Sequence, residues 1–325
     1  MSTFPDLRLR RMRSSQNIRD MFDMPMPNAS KFMWPVFIIE GNNKKVAIDA
    51  MPNQFRYSID KLAEAIEPVY KSGVKSLMLF GVVENDKKTI DGSYAYSEQG
   101  LIQRAICEIR KRFPEIVIFT DVCMCAYTTH GHCGILDSNS DVDNDLSINK
   151  LAKIALSHAV AGANGVAPSA MMDGQIRAIR NELDANKYTN TLLMSYSTKF
   201  ASAMYGPFRE AADSPPGKGD RQGYQGSFAN LNNALLESQL DEEEGADILM
   251  VKPAMFYLDI ISKIKEQTLL PVAAYNVSGE YSMLHATAEK GWGDLYAMAR
   301  ESIMALSRAG TDIQISYWAN QLDRL

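Results

Sequence analysis

The stretch "INKLAKIALSHAVAGANGVAPS", residues 148–169, contains the structural unit that recurs along this chain. Its first part places apolar side chains at helical spacing, which predicts a helix over 148–161. The small-residue break "AGANG" suits a helix C-cap, because glycine adopts the left-handed conformation that ends many helices. The run "NGVAPS" (164–169) then predicts a buried strand. The unit is therefore helix, glycine break, strand.

The same order recurs outward in both directions. Breaks of this type are "SGVKS" (72–76), "EEGAD" (243–247) and "RAGTD" (308–312). The predicted strands are continuously apolar, as buried parallel strands are, and they are "WPVFII" (34–39), "SLMLFGV" (76–82), "IVIFTDV" (116–122), "NGVAPS" (164–169), "TLLMSYS" (191–197), "DILMVK" (247–252), "PVAAYNV" (271–277) and "DIQISYW" (312–318). Helices are predicted over 58–70, 98–113, 148–161, 174–185, 230–243 and 257–267, with a pair within 281–309.

Eight such units predict an α/β fold, a (β/α)8 TIM barrel with an extended N-terminal arm. A doubly wound open sheet is the alternative, but no glycine-rich phosphate turn follows the first strand. The arm spans residues 1–33 and the catalytic barrel spans 34–325. Five arginines by position 19 make the arm basic. We interpret it as a surface arm that docks on the body or on a partner subunit; a transit peptide or nucleic-acid arm is the alternative.

The amino-acid composition limits the classes of protein to which this chain could belong. Of 325 residues, 46% are hydrophobic and the net charge is −5, which fits a soluble domain with a large core and predicts neither nucleic acid nor membrane as a partner. No apolar run reaches membrane-spanning length, and no apolar signal-peptide core lies near the N-terminus. Three of the four cysteines cluster, which is no disulfide framework and favours a reducing compartment, so we expect a cytoplasmic location.

Cys123, Cys125 and Cys133 lie in "DVCMCAYTTHGHCG" (121–134), directly after the third predicted strand. Catalytic residues of barrel enzymes lie at the carboxyl ends of the strands. Three thiolates leave a fourth zinc position open, as catalytic zinc requires. A structural zinc closed by His130 or His132, and a redox or unmetallated thiol group, remain alternatives.

Other reactive side chains follow other predicted strands. Lys199 and Lys252 end adjacent strands, where burial and mutual repulsion would lower an amine pKa and allow Schiff-base chemistry. Arg209 and Arg221 lie in a long Gly/Pro-rich loop that could act as a lid and clamp a carboxylate. Ser278 and Tyr317 could bind a second carboxylate. For each arginine, serine or tyrosine taken singly, an ordinary structural or solvated role is the simpler interpretation.

Several long motifs resemble those of the porphobilinogen synthase (5-aminolevulinate dehydratase) family, in its zinc-dependent branch. They are "DVCMCAYTTHGHCG", "APSAMMDGQIRAIR", "SYSTKFASAMYGPFREAADSPP", "GDRQGYQ", "LMVKPAMFYLDI" and "AAYNVSGEYSML". The resemblance covers nearly the whole chain. It implies a TIM barrel that condenses two 5-aminolevulinate molecules to porphobilinogen with loss of water, in tetrapyrrole (haem) biosynthesis, and a homo-octamer built from dimers.

The resemblance also implies roles for individual residues. Lys252 would form the first Schiff base and Lys199 would be the second active-site lysine, while Cys123, Cys125 and Cys133 would bind catalytic zinc. Glu237 would bind an allosteric magnesium, for which an ordinary exposed helix acid is the alternative. The remaining substrate-binding residues would be Arg209, Arg221 and Gln225 at one carboxylate, Ser278 and Tyr317 at the other, Asp121 and Ser169 at a substrate amino group, and Tyr205 and Tyr275.

The chain departs from the family pattern at two positions. Ala170 stands where an acidic residue is common, and Gly223 stands where some animal members have a cysteine that helps to bind a second zinc. That second site is therefore not expected here.

Two other functions remain open from the residues alone. A Schiff-base (class I type) aldolase on the same barrel needs one lysine and no thiolate metal. A non-enzymatic, zinc-stabilised interaction protein needs the cysteines and neither lysine.

Overall fold

Eight parallel strands close into a barrel in this computed structural model, which describes residues 3–213 and 220–325. The barrel strands are β1 Phe32–Ile39, β2 Ser76–Val82, β3 Val117–Val122, β4 Gly165–Pro168, β5 Leu192–Lys199, β6 Ile248–Lys252, β7 Val272–Asn276 and β8 Ile313–Ser316. Each strand pairs with the next, and β8 returns to β1, with Phe32 opposite Gln314. The predicted TIM barrel is confirmed.

Helices connect the strands and cover the outside of the barrel. They are α1 Gln16–Phe22, α2 Leu62–Lys71, α3 Leu101–Arg112, α4 Asn144–Ala161, α5 Gln175–Ala185, α6 Gly206–Ala211, α7 Leu231–Glu243, α8 Leu258–Gln267, α9 Ser278–Glu289 and α10 Leu295–Arg308. α4 begins earlier than its apolar pattern predicts, because the Asp143 carboxylate accepts a hydrogen bond from the Leu146 amide at 2.9 Å and caps the helix.

The strands are buried on both faces, as their uninterrupted apolar sequences predict. All four residues of β4 and all five of β6 and of β7 are buried. Helix α4 ends at Gly162, whose φ of 106° is left-handed and lets the chain turn back into β4. Gly165 faces the Phe119 ring so closely that a Cβ would lie 2.3 Å from it. Glycine at that position lets β4 pack beside β3.

Three local features differ from the sequence prediction. The eighth strand ends at Ser316, and a 3-10 helix covers Tyr317–Arg324. A hairpin of Lys45–Ala47 and Phe55–Ser58 follows β1, and its second strand pairs in parallel with β1 beyond the β8 contact. Helix α6 was not predicted, since it spans only six residues. These features extend the sheet and cover the barrel at one end.

Residues ahead of β1 form short helical segments with mostly exposed side chains. Their large apolar side chains share this exposure and include Leu7, Leu9, Met12, Met21 and Phe22. Strand β1 begins at Phe32, one residue before the predicted end of the arm at residue 33. No helix among the described residues is both long and apolar enough to cross a membrane.

Candidate active site

Two buried lysines lie side by side at the carboxyl ends of β5 and β6. Lys199 and Lys252 are paired in register across these adjacent strands. Their exposed fractions are 6% and 5%. Lys199 donates a hydrogen bond through Nζ to the carbonyl oxygen of Ser169, which follows β4. The fold therefore brings together two amines that the sequence separates by more than fifty residues.

Aromatic rings enclose the Lys252 amine. Its Nζ lies 4.2 Å from the ring centre of Tyr275 and 5.0 Å from those of Tyr196 and Phe208. Burial, and then the charge of Lys199, lowers the pKa of Lys252 to about 7, although Asp121 acts in the opposite direction. A large fraction of this amine is therefore unprotonated near neutral pH, as a nucleophile must be.

Asp121 is the penultimate residue of β3 and lines the cavity with both lysines. It is hydrogen-bonded to the Ser169 side chain, and burial raises its pKa above the ordinary value for an aspartate. Its Oδ1 has no hydrogen-bond partner among the described residues. A small cavity of about 40 Å³ lies between Asp121, both lysines and Ser169. An unpartnered buried acceptor beside two amines is suited to hold a polar group of a bound molecule.

The three cysteines form a compact group next to this cavity, and Cys125 lines it. The sulfurs of Cys123 and Cys125 lie 3.4 Å apart, and all three sulfurs lie within 4.8 Å of one another. Hydrogen bonds from the Cys123 and Cys125 thiols lower the pKa of Cys133 well below its ordinary value. Hydrogen bonding with Cys125, and then with Cys133, raises the pKa of Cys123. Three sulfurs this close together fit a soft cation such as zinc.

Histidine does not complete this group within the described residues. His132 Nδ1 lies 3.2 Å from the Tyr224 hydroxyl, and His130 Nε2 lies 3.2 Å from the carbonyl oxygen of Ile90. The closed structural site that the sequence left open is therefore not formed in the described geometry. The protein provides three sulfur ligands and a free side toward the cavity.

Two arginines and a glutamine border the cavity or its rim. Arg221 donates to the Gly131 carbonyl oxygen at 3.1 Å; burial opposes its charge, but the nearby Cys133, Cys125 and Cys123 raise its pKa. Arg209, on α6, is exposed and lines the same cavity. Gln225 is buried, and its backbone amide donates to the Arg221 carbonyl oxygen at 2.9 Å. A bound anion would find both cations on one side of the lysines.

The remaining predicted substrate residues lie around Lys252 and α6. The hydroxyls of Tyr275 and Tyr317 lie 3.2 Å apart, and Ser278 Oγ accepts from the Phe208 amide at 2.9 Å. Tyr205 lines the cavity and donates to the Lys252 carbonyl oxygen at 3.1 Å. Ser278, Tyr317, Tyr275 and Gln225 do not line the small cavity itself, so they form its surroundings.

Glu237 does not line the small cavity. It is on α7, accepts from the Asn233 side chain at 3.1 Å and borders a larger cavity of about 1080 Å³, which Lys199 and Gln225 also line. Burial, with smaller contributions from the Asp173 and Glu244 carboxylates, raises the pKa of Glu237. The two positions that depart from the family pattern differ in their surroundings. Ala170 is fully buried, whereas a Cβ on Gly223 would meet nothing within 4 Å.

Several residues of the site were missed from the sequence. Phe80, Tyr127 and Phe208 line the cavity, and Tyr196 lies beneath both amines. Tyr196 precedes Lys199 by three residues on one strand, and regular alternation would place the two side chains on opposite faces. The contact was therefore not evident from the sequence, and the pairing of β5 with β6 is irregular there. Phe208 and the buried Glu280 reach the site from helices α6 and α9, and no short motif in the sequence identifies such contacts.

Comparison with known proteins agrees with this geometry. The family model described as Delta-aminolevulinic acid dehydratase matches residues 6–325. The dehydratase of Synechococcus elongatus is 44% identical over 324 residues, which is 99% of each chain. That of Methanothermobacter thermautotrophicus is 45% identical over 321 residues, covering 98% of this chain and 97% of the relative.

A solved structure is also similar. The delta-aminolevulinic acid dehydratase (porphobilinogen synthase) of Toxoplasma gondii, in complex with the reaction product porphobilinogen, superposes with a TM-score of 0.95 at 38% identity, covering 97% of this chain and 90% of that one. A family model spanning almost the whole chain and relatives this similar leave no doubt about kinship. This chain belongs to the delta-aminolevulinic acid dehydratase family.

Proposed function

We propose that this protein condenses two molecules of 5-aminolevulinate to porphobilinogen, with loss of water, through Schiff bases on its two active-site lysines. The family is that of porphobilinogen synthase, a lyase of tetrapyrrole biosynthesis. The observation that carries the proposal is the pair of buried amines, Lys199 and Lys252, opposed on adjacent strand ends. An aldolase with a single lysine would need neither the second amine nor the sulfur group.

Lys252 is the amine that attacks first in this proposal. Its nitrogen adds to the ketone carbon of one substrate, the carbonyl oxygen leaves as water, and the C=N bond of an imine forms. The pKa of about 7 supports this assignment, because the unprotonated lone pair is available at neutral pH. Lys199 forms the second imine and, while protonated, favours the neutral amine of Lys252.

The sulfur group would hold catalytic zinc. Cys123, Cys125 and Cys133 fit that ion by donor type and by their mutual separation. Zinc bound by three thiolates offers an open position and Lewis acidity there. Arg221, beside the sulfurs, offsets their negative charge and keeps the group compatible with burial.

Substrate binding divides between two sides of the amines. Arg209, Arg221 and Gln225 bind one carboxylate, and Ser278 and Tyr317 bind the other, with Tyr205 and Tyr275 packing against the substrates. Asp121 and Ser169 accept from a substrate amino group. The unpartnered Asp121 Oδ1 supports the last assignment. Closure of the loop that carries the arginines would exclude water and protect the imines.

The arm, residues 1–33, embraces a neighbouring subunit in this proposal, and the chain forms a homo-octamer built from dimers. Exposed apolar side chains such as Met21 and Phe22 support a partner surface. Magnesium at Glu237 would act between subunits; the described residues offer it no three-ligand group, so it would keep most of its waters. Reduced cysteines support a cytoplasmic location.

Borohydride reduction in the presence of 5-aminolevulinate tests the chemistry. Reduction converts an imine to a stable secondary amine, so peptide mapping should find the adduct on Lys252. The exposed Lys71, whose Nζ pairs with Glu67, is the internal control and should stay unmodified. If protein that forms porphobilinogen before the borohydride treatment carries no adduct at Lys252 afterwards, the imine assignment is refuted.

A further inference from the structure

Glu280 is a buried carboxylate to which the mechanism above assigns no role. It lies in the first turn of α9 with none of its surface exposed. Among the described residues no lysine, arginine or histidine forms an ion pair with it. A buried, unpaired carboxylate is costly to a fold unless hydrogen bonds replace its water. Its retention beside the active site therefore calls for a specific function.

Four hydrogen-bond donors surround the two carboxylate oxygens. Oε1 accepts from the amides of Ala254 at 3.0 Å and Met255 at 2.7 Å. Oε2 accepts from the Val277 amide at 2.9 Å and from the Asn276 side chain at 3.1 Å. One oxygen thus binds the chain that leaves β6, and the other binds the chain that leaves β7.

The network continues to a third strand. Ser316 Oγ donates to Asn276 Oδ1 at 3.2 Å, which joins the end of β8 to the end of β7. Each bonded segment adjoins a residue of the proposed chemistry: Lys252 precedes Ala254 by two, Ser278 follows Val277, and Tyr317 follows Ser316. Glu280 is therefore at the centre of a connection between one imine-forming amine and the two hydroxyls assigned to a substrate carboxylate.

The helix that carries Glu280 is itself held close to the active-site loop. A Cβ at Gly279 would lie 2.5 Å from the Met204 carbonyl oxygen, so α9 touches backbone there and has little room to shift. The Phe208 amide donates to Ser278 on the same turn. Because the turn is fixed on both sides, a change in the carboxylate would be transmitted to the strand ends.

We infer that Glu280 is a positioning residue that sets the distance between the Lys252 amine and the carboxylate-binding pair Ser278 and Tyr317. The inference rests on the proposed function of those three residues. Both carboxylate oxygens are needed, because each holds a different strand end. A glutamine would keep one acceptor and turn an NH2 group toward donors on the other side.

The variant Glu280→Gln tests this, with Glu289→Gln as the matched control. Glu289 is exposed near the other end of α9, and its replacement should leave both kcat and KM unchanged. For Glu280→Gln we expect kcat/KM to fall by about tenfold to a hundredfold, the loss that a misplacement near 1 Å produces. Both kcat and KM should change, because Glu280 would no longer fix the distance between the Lys252 amine and the hydroxyls that bind the substrate. The fraction of folded protein is measured alongside by circular dichroism.

A milder variant covers the case in which Glu280→Gln does not fold. Asn276→Leu keeps the branched shape of the side chain and removes only its bonds to Glu280 and Ser316, so KM should rise with a smaller change in kcat. A purely structural role predicts a lower melting temperature while the folded fraction keeps wild-type kcat and KM; that result in either variant overturns the inference. Wild-type protein that gives no borohydride adduct at Lys252 would instead contradict the proposed function.

Discussion

At the scale of single residues, the Lys252 amine depends on its neighbour. Burial is the largest cause of its lowered pKa, and the Lys199 charge is the next. Since the folded-state pKa is about 7, the reactive amine is lost as pH falls through 7 and is retained above it. The rate of imine formation at Lys252 should therefore decrease toward acid pH, with the midpoint of that decrease near pH 7.

Replacing Lys199 with methionine should move this midpoint to higher pH. Methionine keeps the apolar stem and removes the positive charge, so the pKa of Lys252 rises toward the ordinary lysine value, by about one unit or more. The rate of borohydride trapping at Lys252 against pH measures the shift without requiring turnover. Lys71→Met is the control for loss of an exposed charge. An unmoved midpoint would show that burial alone lowers the pKa.

The cysteines give a second residue-scale prediction. Cys125→Ser should lower zinc affinity by at least about a hundredfold, since even outer-shell changes cost tenfold to a hundredfold. Zinc per chain, measured by elemental analysis after dialysis, and porphobilinogen formation should fall together. Cys107→Ser is the matched control, because Cys107 is an exposed cysteine on α3 outside the group. Full zinc retention by Cys125→Ser would contradict three-sulfur binding.

At the scale of elements, α6 is fixed from outside the barrel. Arg56, in the hairpin after β1, donates through Nε to the Ala211 carbonyl oxygen at 2.7 Å and through a terminal nitrogen to that of Glu210 at 2.5 Å. These are carbonyls of the last turn, which have no partners within the helix. α6 carries both Arg209 and Phe208, so Arg56 helps to set the wall of the substrate cavity.

Arg56→Met should therefore raise KM for 5-aminolevulinate by about threefold to tenfold, the equivalent of one typical intramolecular hydrogen bond. The kcat value should change less, because neither lysine moves. Steady-state kinetics at fixed pH measures both. Arg112→Met, which removes an exposed arginine paired only with Glu108 on its own helix, should match wild type. A lowered kcat with unchanged KM would contradict this role for Arg56.

The helices and strands also show how much of the structure could be predicted from the sequence. Continuous apolar runs located all eight strands, because buried parallel strands need no polar face, and residues at strand ends such as Lys199, Lys252 and Asp121 were found for that reason. α6 was missed because six residues carry too little helical pattern. Glu280 was missed because two of its four partners are backbone amides of a segment some twenty-five residues earlier, and such amides are the same whatever the side chain.

At the scale of the whole molecule, the arm leaves apolar surface uncovered in a single chain. Leu9 is 56% exposed and Met12 43% exposed, beside Met21 and Phe22. Deleting residues 1–20 should lower the particle mass measured by light scattering, because contacts between subunits are lost. Leu9→Ser combined with Met12→Ser keeps the length and charge and should weaken assembly in the same direction. An unchanged particle mass for both variants would show that the arm does not hold a neighbouring subunit.

The pairing of β1 with β8 has a consequence for biosynthesis. Phe32 and Met33 find their partners in Gln314 and Ile315, far later in the chain. Until those residues leave the ribosome, the first residues of β1 present an unpaired apolar edge, and the contact that covers it has a very large sequence separation. A chain interrupted before β8 would expose this edge to other chains. We therefore expect nascent or truncated protein to need chaperones, and refolding yield to fall as protein concentration rises.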